Sequence, residues 1–275
     1  MIHSTTAPSI LYLWERRTLY IGEYSEFVPL TQGAASLMIA IDGPITIELP
    51  NTSEVVSVSS ALIPAGVTFK VDTHGHRIAN CYLDPYNEDF FRLKQIMQND
   101  VGGIYVNSKK EIMQAAALEK MLCHNVDQKE AAMLLENAVF PSFFEAPKRN
   151  TTDPRIIEII DFIKGDPTVN HTNKDMAKRI NVSEVTLQRL FKATTGIPIR
   201  RFRLWHRLYV TATLLAFGRS ITEAALEAGF SDASHFNHVF KDMLGMCPSS
   251  IIRRTQNMSI FVDESALRNQ LSAVS

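Results

Sequence analysis

Through the first eighty residues the apolar positions come in short runs. L-Y-I-G-E-Y (19–24), S-L-M-I-A-I (36–41), I-T-I-E-L (45–49), V-V-S-V (55–58), A-L-I-P (61–64) and R-I-A-N-C-Y-L (77–83) alternate or stay apolar, with Asp42-Gly43-Pro44, Pro50-Asn51-Thr52 and Pro64-Ala65-Gly66 between them. Such runs bounded by turn residues read as strands, and this many short ones predict a small barrel or jelly roll. Ile39, Ile41, Ile45, Ile47, Leu62, Phe69 and Tyr82 are the expected inward positions. From Asn87 to about Phe140 the period lengthens to that of a helix, with Phe90, Leu93, Ile96 and Met97 on one stripe and Ile112, Ala115, Ala116 and Met121-Leu122 on the next. A third helical stretch follows at 131–140. Residues 141–152, with Pro141, Pro147 and a polar K-R-N-T-T run, read as a linker. Asp153-Pro154 then suits a helix start, Asp as N-cap and Pro at the first turn, with Ile156, Ile157, Ile160 and Ile163 on its apolar face.

Beyond the linker one pattern is written twice. Ala177 and Ala225 are each followed six residues later by a serine, Ser183 and Ser231. Each copy then has a bulky anchor and a Phe-Lys pair (Leu187 with Phe191-Lys192, Phe236 with Phe240-Lys241) and closes on glycine and proline (Gly196 and Pro198, Gly245 and Pro248). The second copy carries one extra residue between serine and anchor. A small residue lets a second helix cross closely, and a serine after a short turn can cap that helix. Two helix-turn-helix units are expected. Leu187, Leu190 and Phe191 face the first core, and Phe236, Val239 and Phe240 the second. Between them the stretch Ile199–Phe217 keeps Leu204, Leu208, Ala212 and Leu215 at helical spacing, so a rigid rod would set the two second helices ~34 Å apart, one turn of DNA.

The outward positions carry the chemistry. In the first unit Val185, Thr186, Gln188 and Arg189 are expected at base edges, because Arg can bond guanine and Gln adenine in a bidentate manner. An intradomain ion pair is the competing role for Arg189. In the second unit Ala233, Ser234, His235, Asn237 and His238 hold the matching places. Ser183, Lys192, Arg201, Arg203, Ser220 and Lys241 are the expected phosphate contacts, through charge or through helix N-terminal amides. Arg207 is read as structural.

These residues resemble the DNA-binding domain of the AraC/XylS family of bacterial transcription regulators, over roughly 153–254. Its motifs are matched by Ser183, Leu187, Arg189, Phe191 and Lys192, by Arg207-Leu208, Thr211-Ala212 and Leu214-Leu215, and by Ile221, Ala225, Gly229, Phe230, Ser234, Phe236, Phe240 and Lys241, ending on Gly245 and Pro248. His238 stands where Arg is usual and Cys247 where Thr or Ser is usual. The resemblance implies an α+β chain: a cupin-like sensor and dimerisation domain at 1–140, a linker at 141–152, a double helix-turn-helix domain at 153–257 and a tail at 258–275. It implies a regulator, most often an activator, working as a homodimer on double-stranded promoter DNA beside RNA polymerase, with a small-molecule effector or a protein partner on the first domain.

Charge sharpens this division. Residues 1–147 hold 10 Lys+Arg against 17 Asp+Glu, residues 148–254 hold 17 against 10, and the whole chain nets −1. A basic half joined to an acidic half fits phosphate contact by one domain. Cys81, Cys123 and Cys247 share no metal or redox spacing and read as reduced thiols, and with no signal peptide or membrane-length apolar run the expected location is the cytoplasm, on the nucleoid. A metal-binding cupin would place His where Phe69 stands, and His74-Gly75-His76 falls on the wrong side of the Pro64–Gly66 turn. So neither metal, cofactor nor catalytic residue is expected, and a cupin-type metalloenzyme is the disfavoured alternative. Arg16, Arg17 and Arg77 could receive an anionic ligand; no effector-binding residue is singled out.

Overall fold

Strands β1 (Ser9–Leu13), β2 (Arg17–Glu23), β3 (Leu30–Thr31), β4 (Ser36–Ala40), β5 (Ile45–Leu49), β6 (Glu54–Val58), β7 (Ser60–Ile63), β8 (Thr68–Asp72) and β9 (Arg77–Leu83) open the chain. After them come α1 (Asp89–Lys94), the hairpin β10 (Met97–Val101) and β11 (Ile104–Ser108), α2 (Glu111–His124) and α3 (Gln128–Leu134), which runs into a π-helical turn at Leu135–Val139. The second half holds α4 (Pro154–Gly165), α5 (Asn173–Arg179), α6 (Glu184–Thr195), α7 (Ile199–Ala216), α8 (Ile221–Glu227) and α9 (Ala233–Leu244), and a strand β12 (Met258–Val262). The computed structural model describes residues 9–24, 28–83, 89–124, 126–140, 153–246, 248 and 258–263. The expected linker at 141–152 lies outside the described residues, as does Cys247.

The strands form an eight-stranded sheet in the order β10-β11-β7-β4-β9-β2-β1-β12 and a four-stranded sheet in the order β3-β8-β5-β6. Both faces of the large sheet are buried, and the pleat decides which residue goes where. Tyr20, Met38, Ala61, Ile63 and Ile78 face Leu30, Ile45, Ile47, Phe69 and Val71 of the small sheet. Leu19, Ile21, Leu37, Ile39, Leu62, Ala79 and Cys81 face the other way, under Leu93, Leu118, Met121, Leu122 and Leu135 of the helices. Hence Ile39, Ile41 and Leu62, expected between the sheets, lie under the helices instead: they alternate with Met38, Ala40 and Ala61, and a period of two sends neighbours to opposite faces.

Four further expectations are corrected. The helical stripe from Phe90 to Met97 ends at Lys94, and Met97 starts a β-hairpin whose turn is Gly102-Gly103, both at positive φ (56° and 90°). Paired glycines supply that turn without steric cost, and they override a helical reading that continued past them. On α2 the buried residues are Gln114, Ala117, Leu118, Met121 and Leu122, while Ile112 is 85% exposed. Gln114 takes the inward place because its amide donates to the Val139 carbonyl at 2.9 Å. On α4 Ile159 is buried and Ile157 is not. Arg17 and Arg77, offered as anion receivers, are each neutralised within the chain: Arg17 bonds Asp89 at 2.6 Å and Glu136 at 2.5 Å, and Arg77 pairs with Asp42.

The helical half has two cores of unequal independence. Ile156, Ile160, Met176, Ala177, Leu187, Phe191 and Phe202 form one, to which the barrel adds Ala65 at the margin. The other, built from Leu208, Ala225, Phe230, Phe236, Val239, Phe240 and Met243, is continuous with the space between the two sheets. The first helix-turn-helix therefore packs on itself, and the second shares its core with the barrel. Attachments are specific: the Tyr24 hydroxyl donates to the Leu244 carbonyl, and Arg201 donates to the carbonyl of Thr31.

Candidate nucleic-acid interface

Both units follow the sequence pattern down to their caps, with one shift. Thr172 caps α5, and Ser183 caps α6 by accepting from the Thr186 amide at 3.1 Å. The second recognition helix is capped by Asp232 and not by Ser231: Asp232 Oδ1 accepts from the His235 amide at 2.8 Å. This accounts for the extra residue in the second copy. Cap to anchor is four residues in both, Ser183 to Leu187 and Asp232 to Phe236, and Ser231 becomes the last residue of the turn. Bonds from the His235 amide and the Ser231 hydroxyl hold the Asp232 carboxyl below the usual carboxylate range. Gly229, in the turn between α8 and α9, has φ +91°, and a Cβ there would meet the Pro167 carbonyl oxygen at 2.8 Å and the Thr168 Cα at 2.9 Å. Only glycine fits that turn.

The outward faces carry the expected side chains. Val185 (76% exposed), Gln188, Arg189 and Lys192 stand on the open side of α6, with Thr186 half-buried and tied to the Ser183 hydroxyl at 2.9 Å. On α9, Ser234, Asn237, His238 and Lys241 are exposed, while Ala233 and His235 are half-buried. His235 rests edge-on against Phe230 and bonds Ser231 at 3.1 Å. Among the described residues, the side chains of Gln188, Arg189, Lys192, Asn237, His238 and Lys241 make no hydrogen bond or ion pair. Arg189 thus has no intradomain ion pair in this arrangement.

Three expected phosphate contacts are engaged elsewhere. Arg201 bonds Asp242 at 2.9 Å as well as Thr31. Arg203 donates to the carbonyls of His171 at 2.9 Å and Val169 at 3.0 Å and to Asn170 at 2.7 Å, so it fastens the loop before α5 to α7. Ser220 sits in a capping box in which Glu223 Oε2 accepts from the Ser220 amide at 3.0 Å, putting a carboxylate at the end of α8 where a phosphate would come. Arg207 is buried and structural, bonding the Pro167 carbonyl at 2.8 Å and Asn170 at 2.9 Å.

The rod between the units is α7, eighteen residues and so about 27 Å long. It is enclosed on most sides: Phe202 faces the first core, Leu208 and Val210 face the second, and Trp205 faces the barrel. His206 is half-buried in it beside Lys164, and desolvation pushes its imidazole down to about 4, so it stays neutral. No local pattern signals the Trp205 contact, whereas the Asp232 cap is found by counting four residues back from Phe236.

Residues 176–254 match the protein family described as "Helix-turn-helix domain". The chain carries an AraC-type DNA-binding domain. Within it the chain is similar to the Msm operon regulatory protein of Streptococcus mutans, 33% identical over 84 residues, and to the HTH-type transcriptional regulator YidL of Escherichia coli, 38% identical over 82 residues. These matches cover 30% of this chain and 30% and 28% of those proteins, so the chain spans under a third of the curated relatives it matches. Across 88% of this chain and 98% of the other, the fold is similar to that of ToxT from Vibrio cholerae O395, with TM-score 0.58 and 14% identity. The helical domain and the sheet-rich domain before it therefore occur together in one known fold. Among the described residues, no helix is long and apolar enough to cross a membrane.

Proposed function

We propose that the chain is a promoter-binding transcription regulator in which α6 and α9 enter successive major grooves, Gln188 and Arg189 with Val185 and Thr186 reading one half-site and Asn237, His238, His235, Ser234 and Ala233 the other. The observation that carries this reading is the pair of capped helices whose outward polar side chains are unengaged, joined by one enclosed rod. Lys192 and Lys241, both exposed, and the amides at the Ser183 end of α6 are read as phosphate contacts; Arg201 would first have to leave Asp242. Selection of bound DNA from a random library, followed by salt titration on selected and scrambled duplexes, tests it. A linear loss of affinity with salt on both and a preference for the selected duplex is the expected result.

The first domain is read as the controlling one, with a small molecule held between its sheets. Asn80, on the inter-sheet side of β9, is 1% exposed with neither amide atom in a well-formed hydrogen bond and only the Tyr82 phenol near enough to interact with it, and the Nε2 of the fully buried Gln32 is unbonded. Ser36 bonds the other end of Gln32 at 2.6 Å and pairs with Tyr82 across the ladder. Buried amides left unbonded cost about 1–3 kcal/mol each, and a ligand carrying both donors and acceptors would satisfy them. ToxT, which shares the fold (TM-score 0.54, 12% identity), has been solved with an unsaturated fatty acid bound. Thermal-shift screening of the full chain against metabolites tests this half, since a ligand of the native state raises its melting temperature.

A dimer contacting RNA polymerase to activate transcription completes the reading. Ile112 and Met113 on α2 and Met133 on α3 are exposed apolar residues (85%, 45% and 58%) outside the shared cores, which favours these helices as the self-association face. Sedimentation of Ile112→Glu beside the unaltered chain reads that contact directly.

A further inference from the structure

The strand β12 follows the DNA-reading domain in sequence, yet it belongs to the sheet of the other domain. It lies parallel to β1 over five residue pairs, from Ser9 with Met258 to Leu13 with Val262, and the Asp263 amide extends the ladder by donating to the Leu13 carbonyl at 2.9 Å. Its side chains grip both faces. Phe261 stacks on Tyr12 with centroids 4.9 Å apart and planes at 14°, on the side under the helices. Met258, three residues earlier, packs on the opposite side into the core shared by the barrel, α7 and α9. Tyr12 in turn is fixed by its hydroxyl bond to the Val126 carbonyl at 2.7 Å, so the strand rests on a rigid partner. The helix α7 lies beside β12, and Tyr209 on it is close enough to Asp263 to feel its charge.

We propose that β12 is a brace: by adding an edge strand to the sensor sheet it holds α7 and α9 docked on the barrel and so presets the second recognition helix for DNA. The outward face of α9 stays open in the braced arrangement, with Asn237, His238 and Lys241 exposed, so DNA binding does not require the brace to open. The first unit needs no such help, because α4, α5, α6 and the start of α7 close their own core. The two reading helices thus differ in what supports them. One is self-supporting, and the other depends on a strand that lies beyond it in the chain. A preset helix binds more tightly because the ordering is done before DNA arrives.

The test compares the intact chain with one ending at residue 257 and with Phe261→Ala, by amide hydrogen exchange and by affinity for duplexes the intact chain selects from a random library. Removing β12 should speed exchange in α9 and β1 by roughly tenfold or more, leave α6 unchanged as an internal control, and weaken binding by about 3–10-fold. Unchanged protection of α9, or unchanged or tighter DNA binding, overturns the brace. If the shortened chain loosens α6 as well, Phe261→Ala decides: the same α9-selective pattern at smaller size supports the proposal, and uniform loosening overturns it. The exchange measurement stands whether or not the chain prefers any DNA, so a failure of the regulator reading is seen separately.

Discussion

Trp205, in the middle of α7, lies against Tyr82 of β9 with ring centroids 4.8 Å apart and planes inclined by 59°. The contact joins the rod between the two reading units to the mouth of the barrel. It is close because residue 33 is glycine: a Cβ there would come within 2.5 Å of the Trp205 Cβ, an atom that cannot swing away without moving α7. Burial pushes the Tyr82 phenol above its ordinary value, so the ring stays neutral and serves as apolar and hydrogen-bonding surface.

Trp205→Ala should therefore lower stability by about 1–3 kcal/mol, less than a fully buried Trp because the ring is half-exposed. Gly33→Leu should do the same by wedging the domains apart. Urea unfolding monitored by far-ultraviolet dichroism and by exchange in β9 and α9 checks both. The expected result is that β9 and α9, which share a core with Trp205, pass through one transition in the intact chain and through two in the variants. A single transition at an unchanged midpoint refutes the coupling.

Asp232→Ala should destabilise α9 more than Ser231→Ala, although serine is the residue the repeat nominates. The effect carries a pH dependence whose sign is fixed by the shift. The folded carboxyl titrates below its unfolded value of about 3.9, so the cap's contribution is complete above about pH 5 and is lost as pH falls through the folded value. Exchange of α9 amides across pH 3–6 reads this, corrected for intrinsic rates. The difference between the intact chain and Asp232→Ala should shrink toward the acid end.

What could be read without coordinates was what depends on short-range periodicity. The alternating runs at 36–40, 45–49 and 77–83 are strands, and the doubled helix-turn-helix with its anchors Leu187 and Phe236 is present. What could not be read depends on partners far along the chain. Alternation shows that Ile39 and Met38 face opposite ways but not that helices cover one side. The five residues of β12 have no period of their own and become a strand because β1 offers an edge. Arg201 and Arg203 were legible as basic residues at the start of α7. Their bonds to Thr31, Asp242 and the 169–171 loop follow from tertiary placement alone.

Base reading and phosphate contact should separate by mutation. Arg189 is exposed and without an ion pair, so Arg189→Ala removes little of the fold and should cost about 1–3 kcal/mol on the selected duplex with a much smaller loss on scrambled DNA. Lys192→Ala, one turn along on the same helix, should weaken both duplexes alike and reduce the salt slope by about one. Equal losses on the two duplexes for Arg189→Ala would remove it from the base-reading set. Arg203→Ala serves as the contrasting case: it should act through stability, because its guanidinium holds three groups of the loop before α5.

The buried amide of Asn80 makes the last prediction, and it runs against the usual direction of core substitutions. Most changes at a fully buried site destabilise, but here the side chain brings two polar atoms into the space between the sheets with no well-formed hydrogen bond for either, the Tyr82 phenol being the one polar group that interacts with it. Asn80→Leu keeps the branched four-heavy-atom side chain and removes both polar atoms. Without ligand the variant should be more stable than the intact chain by about 1–2 kcal/mol, because the desolvation cost of the amide disappears and apolar area is gained against Ile78 and Met38 on the same face. The same substitution should abolish the melting-temperature rise given by any compound that stabilises the intact chain. A purely structural asparagine gives the opposite pair of results, since its loss lowers the melting temperature and leaves ligand response intact. Measuring both quantities on one protein therefore distinguishes an amide kept for a ligand from one kept for the fold.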